Sequence, residues 1–177
     1  MASSRKKVLL RTRDDMILPG YLPVSGFVEM KNGLASVALL DLEGRVFPVP
    51  LETIRSIAFV RDFNLDDKHD PERLIRRTFL ARPRSEGLWV RLILAGGSVL
   101  EGLAPLDISL LDGALADRGI FVIPPDIRSN TQRMYVPRSA VLELQILAVI
   151  TTPSKTKPVP TMTEVEQARL FPDSGSR

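Results

Sequence analysis

The chain has 177 residues, 44% hydrophobic and 25% charged, with a net charge of +3, no cysteine and a single histidine. These values suit a globular protein of one or two domains, and they exclude disulfides, thiolate metal sites and thiol chemistry. Charged residues, glycine or proline interrupt every apolar stretch before the roughly 18 residues that a membrane-spanning helix needs, and the basic start leads into no signal-peptide core, so the expected location is the cytoplasm.

In chain order, residues 8–20 alternate around Val8, Leu10, Ile17 and Leu18 on either side of Asp14-Asp15, which reads as strand, turn and strand. Gly20 follows where a strand of a small barrel must bend. Residues 36–49 read as a second hairpin turning at Glu43-Gly44. Val49-Pro50 then opens one helical turn, since proline suits a first helical position, and a final strand carries Ile57 and Phe59 inward.

Residues 64–86 form a charged connector. Acids precede bases between Asp66 and Arg77, Asp70 offers a cap and Pro71 a first helical position, so a short helix is expected there.

Residues 87–150 repeat the plan. Gly96-Gly97 is a hairpin turn, Gly102 stands where Gly20 stood, and residues 119–125 and 132–136 give two strands joined by a longer loop. Val136-Pro137 repeats Val49-Pro50, and Leu144 and Ile146 are expected to alternate inward as the closing strand. Residues 151–177 form a Pro-rich tail with little to bury, except that Thr163 and Glu166 make a capping box for a short helix with Val165, Ala168, Leu170 and Phe171 on its apolar side. The expected fold is all-β: two tandem small barrels from an internal duplication, at residues 7–63 and 87–150, with a short helical connector and a flexible tail.

The phrase Val90-x-Leu92-x-x-x-Gly96-Gly97-x-Val99-x-x-Gly102 resembles the opening of Sm-like and other SH3-like small barrels, and the resemblance implies that fold. Asp107 lies one residue too close to Gly102 for the Sm acidic position. The Ile-Arg-Gly signature is replaced by Leu144-Gln145-Ile146-Leu147, so no RNA-contacting residues are carried over. A second resemblance is to the PilZ domain, a β-barrel receptor for cyclic di-GMP, through Arg73-x-x-x-Arg77, residues 89–102 and Asp107-Ile108-Ser109-Leu110-Leu111-Asp112-Gly113. It implies a phosphate clamp of Arg73 and Arg77, for which guanidinium forks are suited, with Asp107 and Ser109 reading a guanine. Gly113 stands four places after Ser109, where that family has three. Gly87-Leu88-Trp89-Val90-Arg91-Leu92 and Tyr135-Val136-Pro137-Arg138-Ser139-Ala140 are also similar to phrases of an uncharacterised bacterial family with tandem small barrels, which implies no activity.

Groups for catalysis are scarce. His69 has charged, turn-forming neighbours, and Asp66, Asp67 and Asp70 lack the spacing of a calcium loop. With no phosphate-cradling loop and no dinucleotide fingerprint, the expectation is a non-enzyme without cofactor or metal. Arg128, Arg133 and Arg138 form a candidate polyanion surface on the long loop of the second half. Three readings stay open: a binding or adaptor module with a protein partner, a cyclic dinucleotide receptor, and a weak nucleic-acid binder. Free edge strands also allow a homo-oligomer.

Overall fold

The computed structural model describes residues 4–106, 119–126 and 128–151. Asp107, Ser109 and the expected helix of residues 163–171 therefore lie outside it. The chain is all-β. Its described strands are β1 (Arg5–Thr12), β2 (Ile17–Pro23), β3 (Val28–Lys31), β4 (Leu34–Leu40), β5 (Val46–Pro50), β6 (Ile54–Val60), β7 (Gly87–Leu94), β8 (Val99–Ala104), β9 (Ile120–Val122), β10 (Thr131–Val136) and β11 (Val141–Ile150).

Local chemistry accounts for the hairpins. Between β1 and β2, the Thr12 amide donates to the Met16 carbonyl (2.9 Å) and the Asp15 amide to the Thr12 carbonyl (3.2 Å), with Asp15 at φ +59°. Between β7 and β8, Leu94 and Ser98, then Gly97 and Leu94, make the same two bonds at 2.9 Å, with Gly97 at φ +79°. The second loop takes in Ala95 as well as the two glycines. The β4–β5 hairpin turns at Glu43-Gly44 as expected, and the Asp41 carboxylate accepts the Glu43 and Arg45 amides at 2.9 and 2.8 Å. The sequence reading lacks β3, although Asn32-Gly33 between β3 and β4 is a strong hairpin signal. Single 3-10 turns, Leu51–Thr53 and Arg138–Ala140, follow Pro50 and Pro137 where the sequence places them.

The two closed barrels expected from the sequence are not formed. The described strands make an eight-stranded sheet, ordered β3-β4-β2-β1-β6-β10-β9 with β5 on β4, and a three-stranded sheet, β11-β7-β8. Strand β6 is the cause, because it pairs with β1 on one edge and with β10 of the other half on its second edge, Ala58 opposite Met134 and Ile57 opposite Tyr135. Within each half the pairings still run in one order, β6-β1-β2-β4-β5 and β11-β7-β8-β9-β10. The β2–β4 step rests on the pair Tyr21 and Leu40, and the β8–β9 step on the bridge of Leu103 and Ile123. The glycine one residue earlier permits each step: a Cβ on Gly20 would lie 2.5 Å from the Leu40 carbonyl oxygen, and one on Gly102 would lie 2.6 Å from Val122 Cβ.

Two apolar clusters fill the interior, and each draws on both halves. Leu9, Ala58 and Val60 pack with Val90, Leu92 and Val136, while Tyr135 packs with Phe27, Ile57 and Phe59. Ile57 and Phe59 are buried as expected. Leu144 and Ile146 are not: they are 41% and 61% exposed.

Candidate functional site

The joint between the halves is roofed by the connector, and the short helix expected there is absent. Glu72 explains why. Its carboxylate is drawn away from the connector onto Arg11 of β1, which donates to it through Nε at 3.0 Å and Nη2 at 2.8 Å. Its carbonyl accepts the hydroxyls of Thr131 (3.1 Å) and Ser129 (3.4 Å). Arg73 then takes a left-handed conformation, φ +50°, which ends the turn after Asp70. Asn130 completes the tie: its side chain accepts the Asp62 amide (3.1 Å) and donates to the Asp62 and Pro71 carbonyls (2.7 and 3.1 Å).

Beneath this roof is a cavity of about 30 Å3 lined by Arg11, Arg55, Ser56, Asp70, Glu72 and Arg77 among others, room for about two waters. Arg55 reaches it from β6 and pairs with Asp15 through Nη1. Its buried Nε has no partner among the described residues, and a buried donor left unpaired is costly. Arg77 is exposed; its carbonyl accepts the Glu101 amide at 2.7 Å.

The residues singled out from the sequence are dispersed. Arg73 donates to Asn64 Oδ1 at 2.6 Å and faces a separate open depression with Asp66, Asp67 and His69, so it and Arg77 line different surfaces. Asp107 and Ser109 are outside the described residues. Arg133 is half-buried over the aromatic cluster, its guanidinium 4.5 Å from the Phe59 ring centroid and 4.6 Å from that of Phe121, and donates to the Val24 carbonyl at 2.6 Å. Burial lowers its pKa. Arg128 is exposed, and Arg138 donates to the Val141 carbonyl at 3.0 Å. His69 is exposed, as its neighbours imply. No group of three or more potential metal ligands occurs among the described residues, and no helix among them is long and apolar enough to cross a membrane.

Two features were missed in the sequence. Glu101 is the first, a buried carboxylate that accepts Arg91 Nε and Nη2 (3.0 and 2.8 Å), Trp89 Nε1 (3.2 Å) and the Phe79 amide (2.9 Å). It fastens the connector over the outer face of the three-stranded sheet. Burial alone would raise its pKa, but the Phe79 amide, Arg91 and Trp89 together outweigh burial and lower it. A signal was present: the β7–β8 hairpin centred on Gly96 sets Arg91 directly opposite Glu101.

The second is the surface of β11. Leu144 pairs with Leu92 and Ile146 with Val90, and residues opposite one another in an antiparallel ladder share a face. Leu92 and Val90 are fully buried, so Leu144 and Ile146 belong to the inner face of the sheet and nothing described covers them. Val149, opposite half-buried Leu88, continues the stripe at 53% exposure. Beside it is a cavity of about 130 Å3 walled by Ile120, Val136, Val141, Leu142 and Leu144, with Arg138 also in its lining. The β8 edge of this sheet is occupied, by Arg77 and Ile123. Among the described residues, the outer edge of β11 receives only the Arg138 guanidinium.

A sequence model described as a family of unknown function, DUF6982, matches residues 4–148. No curated protein and no solved structure matches the chain.

Proposed function

The chain belongs to the DUF6982 family, and from that premise we propose that it is a non-enzymatic cytoplasmic binding module, built by duplication of one small-barrel unit of the SH3-like or Sm-like kind. Support for the duplication comes from the shared strand order, the matched hairpin bonds and the paired Gly20 and Gly102. The binding reading rests on one observation, the inner-face stripe of β11 that no described residue covers, beside an edge that no described strand pairs. Main-chain bonds to an edge supply affinity while side-chain pockets supply selectivity, and an apolar strip at an edge is where another chain docks. Affinity capture with the tagged full chain tests it against Ile146→Lys, whose position is exposed and tolerates the charge. Proteins held by the native chain and lost from the variant support the reading; an identical retained set removes β11 from it.

A second reading is favoured by the unpartnered Arg55 Nε: an anion receptor at the cavity beside Arg77. The cavity is too small for a whole cyclic dinucleotide, so an entering group is limited to the edge of one phosphate. Calorimetry with cyclic di-GMP and with inorganic phosphate tests both sizes, and absence of heat from either ends this reading.

A further inference from the structure

We propose that the occupant of the β11 edge is a second copy of this chain, paired antiparallel through residues 143–147 about a two-fold axis at Gln145. The inference rests on the docking reading of β11 above and adds the identity of the partner.

The case begins with how other edges are protected. Strand β5 carries Pro48 and Pro50, which lack the amide a new ladder needs. Strand β3 is four residues long and bears Glu29 and Lys31, both devices that blunt an edge. Strand β11 has ten residues, no proline, no glycine and one charge, Glu143. An edge so exposed and apolar is a hazard unless a defined partner closes it.

The strand is complementary to itself. Between its two bulges, which fall between Val141 and Glu143 and between Ile146 and Ala148, the ladder on β7 is regular from Glu143 to Ile146, with Leu147 in the second bulge. Turning a copy about Gln145 sets Leu144 opposite Ile146 and Ile146 opposite Leu144, so both inner-face stripes meet on one side. It also sets Glu143 opposite Leu147, which separates the two carboxylates, whereas a two-fold at Glu143 would place like charges face to face. The two three-stranded sheets then become one of six strands. Pro153, Pro158 and Pro160, which follow β11 in sequence, lack the amide that a ladder bond needs.

The test uses sedimentation velocity on the full chain, with a cysteine scan that the absence of native cysteine makes unambiguous. The native chain is expected at twice the 19.6 kDa of one copy, and Ile146→Lys at that of a monomer, with dimer affinity weakened about a hundredfold or more and an unchanged circular dichroism spectrum. Gln145→Cys is expected to form a disulfide-linked dimer on a non-reducing gel, because Cα atoms facing across an antiparallel ladder lie about 4.5–5.5 Å apart, within disulfide reach. Glu143→Cys, whose copies are set roughly 13 Å apart along the strand, is expected to stay uncrosslinked. A native monomer up to about 100 µM, far above the micromolar range in which a specific pair forms, overturns the proposal, as does a dimer indifferent to Ile146→Lys. Crosslinking through Glu143→Cys and not Gln145→Cys overturns the register and with it the two-fold. A monomer that still loses a captured protein on Ile146→Lys leaves the docking reading standing with a different partner; a monomer that loses none removes both.

Discussion

At the scale of single residues, space decides. Gly20 and Gly102 stand where a strand passes to the next layer of its half, and a methyl group on either would collide with backbone or with a β-branched side chain. Gly20→Ala and Gly102→Ala are each expected to cost about 2 kcal/mol or more, whereas Gly44→Ala, at φ +85° in open space, costs about 1 kcal/mol through backbone strain alone; urea titration of the three separates them. Glu101 carries a charge prediction. Its folded pKa lies below the ordinary glutamate value of 4.5, so in the window beneath that value the unfolded chain binds a proton that the native chain refuses. Its stabilising effect is therefore present above the window and lost as pH falls through it. Glu101→Gln is expected to be about 2 kcal/mol less stable at neutral pH and to show a shallower loss of stability as pH falls below the ordinary glutamate value, which thermal melts at stepped pH would read. An equal acid slope in the variant would remove Glu101 from the account.

At the scale of elements, long-range bonds override local preference. The acid-to-base order of residues 66–77 favours a helix by local rules, yet Glu72 is committed to Arg11, 61 residues away in sequence, and the segment lies as turns. Glu72→Gln breaks a pair whose side chains are 6% and 16% exposed, and is expected to cost about 3 kcal/mol and to speed tryptic cutting at Arg73, Arg76 and Arg77; unchanged digestion would show that the roof is held by Asn130 instead. This contrast marks what the sequence makes legible. Hairpins at Glu43-Gly44 and Gly96-Gly97 and the turns after Pro50 and Pro137 depend on neighbours and can be read. The β6–β10 pairing and the Arg11–Glu72 tie depend on chain remote in sequence and cannot. The alternation of β11 shows that Leu144 and Ile146 share a face, but period alone does not say whether anything covers that face. The Arg91–Glu101 pair is the exception among the missed features, because the hairpin register contains it.

At the scale of the molecule, the halves are interleaved. Each apolar cluster takes side chains from both, and β6 lies inside the larger sheet between β1 and β10. A single cooperative transition is expected, with calorimetric and van't Hoff enthalpies equal, and a chain ending at residue 63 is expected to stay unfolded; two resolved transitions would contradict the shared core. Strand β6 also sets a schedule for synthesis. Ile54–Val60 leaves the ribosome some 70 residues before its second partner, Thr131–Val136. At typical elongation of about 5–20 residues per second, the unfolded first half waits roughly 4–15 s for that strand, with Ile57 and Phe59 unburied. During that interval the nascent first half holds apolar side chains that it cannot yet bury, a state prone to aggregation, so slow codons between β6 and β10 are expected to lower the yield of folded protein without altering one amino acid.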